Sequence, residues 1–156
     1  MANPTPYRTL SAEKRIALVK HMVSSSKEGR ALYIARLAAK TGFRPVTLQS
    51  WSAEKLAREV VRVRAETGDD ELNLLHLLYV DLEPAIQSTF LDAAGVRHEN
   101  GVMPEDLEPP YASEDGVARG IEAVRAQHGD DGERYLRTLA RYSSAGWPGI
   151  ESSIDA

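Results

Sequence analysis

Residues 72–82 read LNLLHLLYVDL. Asp69 and Asp70 open a helix that runs through Leu82, and its apolar residues cover nearly every side. A helix apolar all round belongs in an interior, so this one is predicted to be the central buried element. The run is far too short to span a bilayer, and it carries His76 and Asp81. An all-α chain of about seven helices follows if the flanking segments show helical periodicity.

They do. On the N-terminal side, Ser11 caps a helix over Ala12–Val23 with Ile16, Leu18, Val19 and Met22 as its apolar stripe. The polar SSSK at 24–27 is expected as a loop. A second helix covers Glu28–Thr41 with Leu32, Ile34, Ala35, Leu37 and Ala38 inward, and Gly42 stops it. Ser52 then caps AEKLAREVVRVRAE, whose stripe is Leu56, Val60, Val61 and Val63. On the C-terminal side, Pro84 suits the first turn of a helix ending at Gly95. Ser113 caps EDGVARGIEAVRAQH, a last helix covers Gly132–Ser144, and GWPG at 146–149 ends it. Tyr135, Leu136, Leu139 and Tyr142 share one face there, which reads as core or a partner surface. Only 96–113 is not helical. Asn100-Gly101 favours a tight turn with a tiny ribbon of Val96–His98 against Val102–Pro104, followed by an acidic, proline-stiffened loop. SAEK occurs at 11–14 and again at 52–55, which a shared capping sequence or a duplicated helix pair would explain.

The net charge of −4 conceals an asymmetry. Residues 1–64 carry 13 Lys and Arg against four Asp and Glu, and residues 65–156 carry six against 19. A basic helical half, 1–64, is therefore joined to an acidic helical half, 65–156, and the two are expected to pack as one compact unit. The basic half is a candidate nucleic-acid binder, and the acidic half a candidate surface for dimerisation or a protein partner. Mutual attraction of the halves would produce the same pattern. The chain has no cysteine, which excludes disulfides, thiol catalysis and cysteine metal sites and fits a reducing cytoplasm. MANPTPYRTL at the N-terminus has no apolar signal core, so a cytoplasmic location without membrane attachment is expected.

Residues 37–51, LAAKTGFRPVTLQSW, carry the one specific functional hint. A helix-turn-helix needs a small residue where its helices cross, a residue tolerant of positive φ in the turn, and apolar anchors beneath the second helix. Ala38 and Gly42 meet the first two needs, and Phe43, Leu48 and Trp51 fall where the second helix must point inward. The pattern resembles the helix-turn-helix of phage-repressor-like transcriptional regulators, over these residues alone. The resemblance implies that Arg44, Thr47, Gln49 and Ser50 face outward to meet base edges or phosphates, Arg and Gln being suited to bidentate base contacts. Lys40, Lys55, Arg58 and Arg62 would add phosphate contacts. A second reading stays open. Pro45 to Ser52 leaves only about two turns, and Ser52 with Glu54 looks like a fresh helix start, so RPVTLQSW also fits a short bridge anchored by Trp51.

Catalysis has less support. His21, His76, His98 and His128 are scattered without zinc-type spacing, so neither a metal site nor a cofactor is expected. There is no glycine-rich phosphate loop. His98 beside Glu99, Glu105, Asp106 and Glu108 is the one arrangement open to acid–base chemistry or weak metal binding. The residues thus point to a small non-enzymatic binding protein, either a nucleic-acid-binding regulator or a helical interaction module.

Overall fold

The computed structural model describes residues 4–154. It is all-α, with eight α-helices and no strand among the described residues. In chain order these are α1 (Ala12–Ser25), α2 (Lys27–Thr41), α3 (Pro45–Gln49), α4 (Ala53–Arg62), α5 (Gly68–His76), α6 (Pro84–Ala94), α7 (Glu114–Tyr142) and α8 (Ile150–Ser153). No helix among the described residues is long and apolar enough to cross a membrane. The chain forms two compact units. One is Leu10–Leu74, and the other joins the described residues up to Thr9 with those from Leu75 onward.

In the Leu10–Leu74 unit, α1 packs against α2 and α4. Both copies of SAEK act as caps. The Ser11 hydroxyl accepts the Lys14 N–H and the Ser52 hydroxyl accepts the Lys55 N–H, each at 3.1 Å. The expected 24–27 loop shrinks to Ser26, whose N–H closes α1 onto Met22 O while its hydroxyl accepts the Gly29 N–H at 2.9 Å. One serine thus ends one helix and starts the next. The inward face of α2 is Tyr33, Ile34 and Leu37, and the expected inward residues Leu32 and Ala35 are exposed. Ile34 and Leu37 face inward as expected, and Tyr33 joins them, so the buried stripe runs through 33, 34 and 37 and leaves Leu32 and Ala35 off it. Helix α4 stops at Arg62, where Arg64 turns left-handed at φ 54°. A reciprocal cap then opens α5: Thr67 N–H donates to Asp70 Oδ2 at 2.8 Å and Asp70 N–H to Thr67 Oγ1 at 3.3 Å.

The second unit begins inside the predicted central helix. Leu75, Leu77, Leu78 and Tyr79 are buried, whereas Leu82 is exposed, so the 72–82 run buries one side and does not bury all of them. From Leu77 to Leu82 the winding widens to a π-helix, closed by Glu83 N–H donating to Leu78 O at 2.7 Å. Pro84 then starts α6, which packs along α7. Two glycines of α7 permit close approach: a Cβ at Gly116 would lie 2.8 Å from Ala94 O, and one at Gly120 would lie 2.7 Å from the Phe90 ring. The two helices predicted on either side of 129–131 are one element, broken at Gly129 (φ 54°, ψ −128°). The chain does not end its helices at GWPG, since Ile150–Ser153 forms α8 beyond it. The predicted ribbon is reduced to a single bridge, Glu99 to Val102, around a turn with Asn100 at φ 52° and Gly101 at φ 87°. The N-terminal segment is tied to α7 by Arg134, which donates to Thr9 Oγ1 at 2.9 Å, and by Arg137, which donates to Pro4 O at 2.6 Å.

Candidate nucleic-acid interface

The corner between α2 and α3 is built by local hydrogen bonding. Thr41 donates its hydroxyl to Leu37 O at 2.6 Å and accepts the Phe43 N–H at 3.3 Å. Gly42, at φ 79°, reverses the chain in the left-handed region that favours glycine. Pro45 occupies the first turn of α3, where its missing N–H costs nothing. Leu48 is fully buried beneath the helix. Above it the Arg30 guanidinium donates to Gln49 O at 3.1 Å and to Trp51 O at 2.8 Å, and Ser50 donates its hydroxyl to Thr47 O at 2.6 Å. These bonds satisfy carbonyls that the end of a five-residue helix leaves open.

Arg44, Thr47, Gln49 and Ser50 are all exposed on this held segment. Two of the three expected anchors are not in the core. Phe43 is 46% exposed and Trp51 is half-buried. So short a helix turns about one residue fully inward, and Leu48 takes that place. Phe43 packs edge-on against Trp51 instead, with ring centroids 5.5 Å apart, and the Lys55 ammonium lies 4.2 Å from the Trp51 ring centroid.

The surrounding cations are not equivalent. Lys40 and Arg44 are exposed and have no ion pair among the described residues. Arg58 is held by Glu54 at 2.8 Å and Glu13 at 3.3 Å, and Arg62 is clasped by Glu59. Glu54 also meets Lys20 at 3.2 Å, and that hydrogen bond is the main reason its carboxyl titrates below the usual range. Arg36 pairs with the buried Asp70 at 3.5 Å, so it is spent inside the unit. The acidic run after residue 65 lies partly within this unit, with Glu66, Asp70 and Glu71 buried. Leu10–Leu74 consequently holds 12 Lys and Arg against eight Asp and Glu. Charge is concentrated at the corner all the same, because residues 29–53 contain no Asp or Glu.

The His98 loop has a different character. His98 Nδ1 accepts the Gly101 N–H at 3.0 Å, which places the ring proton on Nε2, and Nε2 faces Asp92 Oδ1 at 2.5 Å. Both nitrogens are engaged in holding the Asn100-Gly101 turn to α6. Of the carboxylates expected around His98, Asp106 pairs with Arg97 at 3.3 Å, and the partner that His98 does meet, Asp92, lies on a helix. No cluster of three His, Asp or Glu side chains able to hold a metal occurs among the described residues. His21 and His76 are exposed, and His128 Nε2 lies 2.9 Å from Thr89 Oγ1. Compared with family models, with curated proteins and with solved structures, the chain matches none.

Proposed function

We propose that this is a non-enzymatic cytoplasmic binding protein whose Leu10–Leu74 unit takes nucleic acid at the α2–α3 corner. One observation carries the reading: Arg44, Thr47, Gln49 and Ser50 stand exposed on a segment pinned by Leu48 below and Arg30 behind. Donors and acceptors held in place by the scaffold can read bases, because little entropy is lost on contact. A protein partner at the same corner is the competing reading, favoured by the exposure of Phe43, Val46 and Leu32.

Salt separates the two. Lys40, Arg44 and Lys55 supply three phosphate contacts, and at about 0.9 log units of slope per contact on a duplex, or about 0.7 on a single strand, affinity falls roughly 40-fold or roughly 20-fold between about 50 and 200 mM salt. A drop of several hundredfold would mean that Arg58 and Arg62 leave their glutamates to join in. Arg44→Ala is expected to weaken binding to all sequences. Gln49→Ala is expected to change sequence preference more than overall affinity. Gel retardation of the full-length chain measures both. Failure to retard any oligonucleotide, single or double-stranded, at micromolar protein and low salt would transfer the corner to a protein partner. Arg30→Lys keeps the charge but loses the two-pronged hold on Gln49 O and Trp51 O. It is expected to weaken binding several-fold with little change in the salt slope, and unchanged affinity would show that the clamp on α3 does not matter to binding.

A further inference from the structure

We infer that the Phe43–Trp51 pair is a stacking platform for an unpaired base, so that the nucleic acid held at this corner is single-stranded or locally opened. The inference rests on the nucleic-acid reading above and narrows it. Phe43 keeps 46% of its surface in solvent, beside Val46 at 69%. A phenyl ring in water is disfavoured, yet its backbone is fixed by the N–H bond to Thr41 Oγ1 and by the left-handed Gly42 before it. Its edge-on contact with Trp51, at 65° between ring planes, cannot cover both faces of either ring. Lys55 sits over Trp51, and Arg44 and Lys40 are exposed next to Phe43 and three residues before it in the chain. Cations interleaved with aromatic faces are what hold single strands by backbone charge and base stacking.

The shape of the corner agrees. Helix α3 has five residues, about 7.5 Å at 1.5 Å per residue, which is short for reading along a major groove about 12 Å wide. From Arg44 to Ser50 every residue but Leu48 is exposed. The apolar anchor of a peptide partner needs a pocket, whereas a base needs only a face.

The test presents one labelled oligonucleotide sequence to the full-length chain in three forms: single strand, closed duplex, and duplex with an unpaired bulge. Fluorescence polarisation at about 50 mM salt is expected to give single-strand and bulged affinities about tenfold tighter than the closed duplex, within the range that one stacked base supplies. F43L is expected to bring the single strand down to the duplex value, and F43W to preserve the preference. Both should keep the parent melting temperature, since residue 43 is half in solvent. Equal affinity for the three forms, or an F43L protein that retains the preference, overturns the stacking platform and leaves the nucleic-acid reading standing. No binding of any form removes both. A polyglutamate peptide binding parent and F43L as tightly as the single strand would show a surface that reads charge alone, and would also overturn the platform.

Discussion

Between pH 9 and about pH 11 the unit containing Tyr79 and Tyr135 is expected to lose about 3 kcal/mol of stability, and the unit containing Tyr33 about half as much. All three phenols are pushed well above their ordinary range, first of all by burial. Charge adds to this: Asp70 and Glu66 beside Tyr33, and Tyr79 beside Tyr135, disfavour a phenolate further. Around Tyr79, Arg134 and the Thr138 hydroxyl pull weakly the other way. The sign follows from where the proton is held. The unfolded chain releases it near pH 10, while the folded chain keeps it well beyond. The stabilisation is therefore complete below pH 10 and disappears as pH rises toward the folded values, at about 1.4 kcal/mol per pH unit for each tyrosine. Urea midpoints measured across this range should fall, with the tyrosinate absorbance that belongs to these three rings rising in step with unfolding. Tyr33→Phe and Tyr135→Phe should each flatten the decline in their own unit. Phenolate near pH 10 with helicity unchanged, in an amount that falls when Tyr33 or Tyr135 is replaced by Phe, would contradict the burial of these rings.

How much of this was legible in the sequence depends on the range of the forces involved. Caps and stops are local chemistry. Ser11, Ser52 and Ser113 accept the N–H three residues on, and Gly42 and Gly95 end their helices in the left-handed region, as their positions before and after apolar stripes imply. Ser26 shows the limit of that logic, because a polar run that reads as a loop needs only one residue to change helix direction. The inward face of α2 was legible only in part: Ile34 and Leu37 are buried as expected, but Leu32 and Tyr33 are apolar neighbours and tertiary packing chose Tyr33. The attachment of Pro4 and Thr9 to α7 spans most of the chain and leaves no local mark.

At the candidate interface the same division holds. The outward set of Arg44, Thr47, Gln49 and Ser50 was implied by the resemblance to a helix-turn-helix, and all four are exposed. The roles of the aromatics did not follow, because a hydrophobic residue beside a turn reads as an anchor unless the length of the helix is known. Arg30 was invisible as a clamp on α3, since it lies 19 and 21 positions from the carbonyls it holds. Charge counting also misled in one respect. The reversal near residue 65 is real in the sequence, but the reciprocal cap of Thr67 and Asp70 and the Asp70–Arg36 pair bring acidic side chains into the basic unit. Formal charge records composition, and burial decides which charges a partner meets.

Phe90→Ala is expected to cost about 3–5 kcal/mol, because the ring is fully buried and leaves a cavity where α6 meets α7. It also forfeits two edge-to-face contacts, with Trp147 at 5.0 Å and Tyr135 at 5.9 Å. The partner substitution tells more. On helix propensity alone, Gly120→Ala should gain about 1 kcal/mol. Its Cβ, however, would stand 2.7 Å from two carbons of the Phe90 ring, and the ring is already fixed between Trp147 and Tyr135. Overpacking of that kind costs about 1–3 kcal/mol, so destabilisation is the expected sign. Phe90→Leu removes Cε2 and frees the remaining Cδ carbons to rotate, so Gly120→Ala should cost less in the double variant, with Phe90 O at 3.2 Å as the contact left. That non-additivity is the signature of direct contact. Gly116→Ala supplies the contrast. There the obstruction is the Ala94 carbonyl oxygen at 2.8 Å, backbone that no side-chain change removes, so Phe90→Leu should leave its cost unchanged. Denaturant titrations of the four single and two double variants decide it: rescue of both glycine variants, or of neither, would mean that α6 and α7 meet through other residues than these.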